Sequence, residues 1–252
     1  MPRAQRKPTR ANKVDRTKQG RSEVDIYEEQ HYAPIIKPST EPLKPKNAKQ
    51  KKYIETIKNK VITFGIGPAG TGKTYIATCI ACDMLLSGEI DKIIITRPAV
   101  EAGEKLGFLP GDEHEKYAPY IAPFREIMNE RLGKSRVDYL LKTEGIKAEP
   151  FAYMRGKTFK NAVVILDEAQ NTTKVQLKLL LTRIGENCKV IVDGDIDQTD
   201  ISNSGLEDAV QRLSYIPTVG VVEFNGSEVV RSGICGEVVF AYQNEVPFSY
   251  RK

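Results

Sequence analysis

Gly67, Pro68, Ala69, Gly70, Thr71, Gly72, Lys73 and Thr74 run consecutively and fit G-x-x-x-x-G-K-[ST], a pattern whose chemistry is the holding of phosphate. Glycines let backbone N–H groups turn inward around phosphate oxygens, and a helix that starts at the loop adds its positive end. In such a loop the lysine, Lys73, reaches the β and γ phosphates, and the Thr74 hydroxyl ligates Mg²⁺. A chance match in a glycine-rich turn would lack the flanking elements. Here the apolar run 61–64 precedes the loop and a helical pattern follows it. The expected ligands are ATP and Mg²⁺.

A second group follows the apolar run 163–166: Asp167, then Glu168. A carboxylate at the end of a buried strand beside the phosphate loop suits the magnesium shell. The glutamate after it suits the orientation or deprotonation of an attacking water. The bland alternative is a solvated strand end. Phosphotransfer to a small molecule fits poorly, because such an enzyme must keep water from attacking. A third group ends the run 190–192 with Asp193, Gly194, Asp195 and, three residues on, Gln198. Gln198 is placed to sense the γ phosphate through a neutral amide. Asp193 and Asp195 either belong to that sensor or cap the following turn.

These groups need a frame that brings strand ends together. Five short apolar runs, 61–64, 93–95, 163–166, 190–192 and 219–222, alternate with helical patterns. Tyr53, Ile54 and Ile57 mark a helix before the first run, and Ile76, Ala77, Ile80, Ala81, Met84 and Leu85 mark one ending near Gly88. Lys174–Leu181 and Leu206–Leu213 read as helices as well. Unbroken apolar strands alternating with helices predict an α/β fold with a mostly parallel sheet covered on both faces. A strand, Lys92–Thr96, lies in sequence between the phosphate loop and the Asp-Glu pair. That arrangement points to the RecA-like branch of P-loop folds. Residues 101–147 show no clear strand and read as a mostly helical insertion.

Charge divides the chain differently. Residues 1–52 carry 14 Lys and Arg against 6 Asp and Glu, although the whole chain is only +5. The first 22 residues hold eight basic groups, one acidic one and almost nothing to bury. They read as a disordered basic arm, either a solubilising tail or a segment that binds nucleic-acid phosphates. Prolines 38, 42 and 45 mark a linker. The expected division is therefore an arm and linker over 1–46 and a RecA-like ATPase domain over 47–252. No apolar run is long enough for a membrane span, and no signal peptide is evident, so a cytoplasmic setting is expected. Cys79 and Cys82 spell C-x-x-C inside a helical pattern, with Cys188, Cys235, His31 and His114 scattered elsewhere. Packed, reduced thiols are expected rather than zinc or redox chemistry.

With these groups placed, the chain resembles the PhoH-like family, cytoplasmic ATPases related to superfamily 1 helicases. The resemblance spans roughly 47–243. It rests on FGIGPAGTGKT (64–74), TRPAVEAGEKLGFLPG (96–111), AYMRG (152–156), LDEAQNTT (166–173), LTRIG (181–185) and GDIDQ (194–198). It implies that Asp167 and Glu168 are the metal-binding and water-activating pair, and that Gly194, Asp195 and Gln198 form a helicase-type sensor motif. Gln50, by itself only a polar residue on a helix, is similar to an adenine-reading glutamine. Val229-Val-Arg231 resembles a late arginine motif, although Ser232-Gly233 replaces the histidine-proline that often follows it. Arg231 would then act as an arginine finger, with Arg183 as the competitor. Arg97 resembles a residue that touches the nucleic-acid backbone, or is a structural ion pair. Tyr117, Tyr120 and Phe124 either stack on bases or form the packed face of a helix.

The function implied is Mg²⁺-dependent ATP hydrolysis coupled to RNA, or to another single-stranded nucleic acid, with unwinding as a possible output. The alternatives are a slow nucleotide-controlled switch and an ATP-dependent ribonuclease. Only 54 residues follow Gln198, too few for a second RecA-like domain. A complete site is expected to borrow from a neighbouring subunit in a homo-oligomer, a hexameric ring being the first expectation. The setting implied is a bacterium, or a phage that infects one.

Overall fold

In a strand, successive side chains point to opposite faces, so a run that is apolar at every position must be buried on both sides. The runs behave accordingly. Ile93 and Ile95 of β2, with Val163 and Ile165 of β4, enter one core, whereas Ile94, Val164 and Leu166 enter another. The computed structural model describes residues 41–98, 113–230 and 237–238. Within them α1 is Ala48–Asn59, β1 Ile62–Ile66, α2 Lys73–Ser87, β2 Lys92–Thr96, α3 Glu113–Leu132, α4 Lys134–Lys142, β3 Ile146–Ala148 and β4 Ala162–Leu166. Then come α5 Lys174–Leu181, β5 Cys188–Gly194, α6 Leu206–Leu213 and β6 Val219–Glu223.

The six strands form one sheet in the order β3-β2-β4-β5-β1-β6, every neighbouring pair parallel. Helices α1, α2 and α3 cover one face through Tyr53, Ile57, Ile76, Ile80, Phe124 and Met128. Helices α5 and α6 cover the other through Leu177, Leu180, Leu206 and Ala209. Thr173 caps α5 in a reciprocal capping box with Gln176, which fixes where that helix starts. Gly88, at φ 75°, ends α2 in the left-handed conformation that releases a helix into a turn.

Between β1 and β4 the sheet places β5, whereas β2 lies on the far side of β4. The strand that intervenes in sequence is therefore not the one that intervenes in space. A strand separating the phosphate-loop strand from the acid-bearing strand is the order of a RecA-like sheet.

The region expected to be a mostly helical insertion without a clear strand contains α3 and α4 but ends in β3, an edge strand parallel to β2. Three residues with Lys147 in the middle carry no apolar run, so burial could not announce them. Residues 101–112 lie outside the described ones, as do the basic arm and Cys235. Phe124 is fully buried and Tyr120 nearly so, both on the packed face of α3. Base stacking by these rings is thereby overturned; the side chain of Tyr117 is outside the described residues. Cys79, Cys82 and Cys188 are buried free thiols, and burial pushes Cys79 and Cys188 up to about 11, which keeps them protonated. No helix among the described residues is long and apolar enough to cross a membrane.

Candidate nucleotide site

Register decides which side chains meet. Thr96 pairs with Leu166, Leu166 with Val192, and Ile66 with Gly194. The residues that follow these strand ends, Gly67, Arg97, Asp167 and Asp195, therefore emerge side by side at the carboxyl edge, where such sheets bind ligands. A cleft of about 870 Å³ opens there. It is lined by Gln50, Ala69, Gly70, Gly72, Lys73, Thr74, Arg97, Asp167, Glu168, Asp193, Gly194, Asp195 and Gln198.

The phosphate loop is shaped by φ values of 131°, 83° and 90° at Gly67, Gly70 and Gly72. At Gly72 a Cβ would also approach Gln50 Nε2 to 2.9 Å, so a side chain there meets both strain and a neighbour. Lys73 is 8% exposed, and its Nζ donates to Gly67 O at 2.5 Å and Pro68 O at 2.9 Å. Burial lowers its pKa, against the opposing pull of Asp193, Asp195, Asp167 and Glu168. Thr71 and Pro68 brace the loop through a Thr71 Oγ1 to Pro68 O bond of 3.0 Å.

Thr74 Oγ1 donates to Asp167 Oδ1 at 3.2 Å. Burial raises the Asp167 pKa and Glu168 adds to it, while Arg97 and Thr74 oppose the rise. A hydroxyl beside a carboxylate, both hard oxygen donors, suits Mg²⁺. Glu168 takes the left-handed conformation at φ 55° and ψ 41°, which no β-branched or bulky apolar residue would favour. Its carboxylate is held from two sides. Gln170 Nε2 donates to Oε2 at 2.7 Å, and Arg97 Nη2 donates to Oε1 at 3.3 Å. Arg97 Nε lies 3.4 Å from Asp167 Oδ2, so one guanidinium serves both acids. Of the two sequence readings of Arg97, the ion pair is the one present.

Gln170 also links this pair to the end of β5, because its Oε1 accepts from Asp195 N at 3.0 Å. Asp195 caps the short turn that carries Gln198, accepting from Asp197 N at 3.1 Å. Asp193 makes no cap. It is 1% exposed and accepts from the Tyr53 hydroxyl, and its other oxygen has no partner. Burial pushes its pKa up to about 7.

Gln50 lines the cleft with its amide already engaged: Oε1 accepts from Lys46 N at 2.8 Å, and Nε2 donates to Thr71 O at 2.9 Å. Arg183 is not among the cleft residues; its guanidinium reaches Thr182 Oγ1 at 3.3 Å. Arg231 lies outside the described residues. Sequence reasoning gave an ion pair as one reading of Arg97 but not its partners, the two acids, and it missed Gln170 as their bridge to β5. It also missed α3, whose Pro123, Ile127, Glu130 and Arg131 form one wall of the cleft. The signal for the first two was present in the motifs but needed the strand order to be read.

Comparison with known proteins follows the same residues. The profile of the PhoH-like protein family matches residues 42–243. Protein PhoH of Escherichia coli (strain K12) is 48% identical over 208 residues, which cover 81% of this chain and 59% of that protein. A PhoH-like protein of Bacillus subtilis (strain 168) is 42% identical over 229 residues, covering 89% and 72%. One of Synechocystis sp. is 47% identical over 201 residues, covering 79% and 61%. The chain thus spans about three fifths of the length of the Escherichia coli relative. Among solved structures, Pif1 helicase from Candida albicans is 14% identical with a TM-score of 0.37, covering 73% of this chain and 41% of that one. The phosphate loop, the acid pair and the turn carrying Gln198 stand on one sheet edge inside the matched stretch, and the chain belongs to the PhoH-like family.

Proposed function

We propose that this chain hydrolyses ATP with Mg²⁺ and couples that turnover to RNA or another single-stranded nucleic acid. The observation that carries the hydrolytic reading is the convergence of Lys73, Thr74, Asp167, Glu168 and Gln198 on one cleft. Lys73 holds the β and γ phosphates, exchanging two loop carbonyls for phosphate oxygens. Thr74 and Asp167 hold Mg²⁺, which when bound offsets charge on those phosphates. Glu168 takes a proton from water as the water oxygen bonds to the γ phosphorus. The bond from that phosphorus to the bridging oxygen breaks, leaving ADP and phosphate. Gln198 contacts the γ phosphate, and Gln170 passes its position from the sensor strand to Glu168. Gln50, which the resemblance assigns to adenine reading, lines the cleft, and its hydrogen bonds with Lys46 N and Thr71 O make it first a brace for the loop.

Coupling to nucleic acid rests on the charge of residues 1–52 and on the family resemblance. The oligomer, with a ring of six as the form to test, rests on the resemblance. ATP turnover with and without single-stranded RNA, with the mass of the particle measured on the same sample, tests all three. RNA that leaves turnover unchanged favours a nucleotide switch. Removal of residues 1–22 is expected to weaken RNA binding and flatten its salt dependence, by about 0.7 of a log–log unit per lost contact. An unchanged slope would mark the arm as a solubilising tail.

A further inference from the structure

The geometry points to Arg97 as a catalytic residue: its guanidinium pairs with both Glu168 and Asp167, and with ATP bound it transfers to the γ-phosphate oxygens. This rests on the ATPase reading above.

Position comes first. Asp167 N donates to Thr96 O at 3.0 Å, so the β2–β4 ladder sets the residue after Thr96 beside the two acids. The guanidinium is within 3.4 Å of one carboxylate and 3.3 Å of the other, and it lines the same cleft as Lys73. Its side chain is 27% exposed, buried enough to be directed and open enough to move.

Charge comes second. Lys73 and Arg97 face Asp167, Glu168, Asp193 and Asp195 at the phosphate end of the cleft. Arg131 also lines the cleft, but its guanidinium is bound to both Asp83 oxygens and to Glu41 O. Arg97 is therefore the guanidinium available to spreading charge on a γ phosphate among the described residues at that end. A planar fork fits either a carboxylate or a phosphate face. Moving from one to the other frees Glu168 Oε1 to accept from water, so the ligand that needs the base also unlocks it. Glu168 stays oriented through Gln170. The need for a second cation, which sequence alone assigned to Arg231 or Arg183, is then met within one subunit.

The test uses the full chain with Mg²⁺ and compares binding of ADP alone with binding of ADP plus aluminium fluoride, a mimic of the transferring phosphoryl group. Parent, Arg97→Ala, Arg97→Lys and Arg231→Ala are titrated, with a melting curve for each. Arg97→Ala is expected to keep ADP affinity and lose the fluoride-dependent gain, with turnover down on the order of 10³-fold or more. Arg97→Lys, which keeps the charge without the fork, is expected to recover only part of that gain. It decides the matter if the alanine variant does not fold. Parental fluoride-dependent binding in either Arg97 variant overturns the assignment. So does equal loss of ADP binding with and without fluoride in both variants, which would mark Arg97 as a structural clamp on Asp167. If Arg231→Ala alone abolishes the gain, the cation is supplied by that residue instead. A parent that binds ADP but shows no gain with fluoride sinks the ATPase reading itself.

Discussion

Glu168→Gln is expected to bind ATP as the parent does and to lose turnover by on the order of 10²–10⁴-fold, the usual weight of a general base. The amide has the shape of the carboxylate, so Gln170 and Arg97 keep one oxygen to donate to, while the NH₂ group meets the other donor. Position changes little; basicity disappears. Lys73→Ala should behave differently. The ammonium sits inside the phosphate loop, 2.5 Å from Gly67 O, and its removal takes charge from both ground state and transition state, so affinity falls along with turnover. Equilibrium binding of ATP and single-turnover phosphate release, measured on both variants, separate the two effects. Hydrolysis by Glu168→Gln at the parental rate would end the assignment of the base.

Asp193→Asn should match the stability of the nucleotide-free, metal-free parent protein near pH 5 and exceed it at pH 8. The carboxyl is buried beside the Tyr53 hydroxyl, and its pKa rises from 3.8 to about 7. A raised folded-state pKa means that the folded protein holds this proton more tightly than the unfolded chain does. Stability is then fullest below the unfolded value and falls as pH climbs towards 7. With the pKa near 7, the fall between pH 5 and pH 8 is about 2–3 kcal/mol. Asparagine keeps an oxygen for Tyr53 and never ionises. Its NH₂ group has no acceptor in the place where Asp193 leaves one oxygen unpartnered, so near pH 5 the two proteins should melt close together. By pH 8 the variant should lead by roughly 4–10 °C, at the usual few degrees per kcal/mol for a domain of this size. Parallel melting curves across that range would show that Asp193 ionises at its ordinary pKa.

How much of this was legible in the sequence depended on how local each signal was. Gly67 to Thr74, Asp167 and Glu168 were found because a phosphate loop and an acid-tipped strand are each spelled by adjacent residues. Helices Lys174–Leu181 and Leu206–Leu213 have the bounds that periodicity predicted, since each carries its own apolar face. Strand β3 was not legible: it is short, sits at the sheet edge and carries Lys147 at its centre. An ion pair at Arg97 was one reading of the sequence, but its partners were not legible, because they follow from β2 lying beside β4, and nothing in the order of the runs along the chain says which strand ends are neighbours. The same holds for Gln170, one motif away from Asp195 in space but 25 residues away in sequence. Gln50 shows a third kind of miss. Its place at the cleft was foreseen, but the bonds from Lys46 N and to Thr71 O were not.

The phosphate loop is not anchored by the sheet alone. Val230 N donates to Gly70 O at 2.9 Å, Val230 itself lines the cleft, and Phe224 N reaches back to Ile66 O at 2.7 Å. At Gly67 the fit against Phe224 O leaves no room even for a methyl group. The stretch after β6 therefore works as a tether on the loop, attached at both of its ends. A displacement of Val230 would reach Gly70 directly through that hydrogen bond, without first straining a strand. The shape of that loop is thus set from outside the sheet as well as by its own glycines.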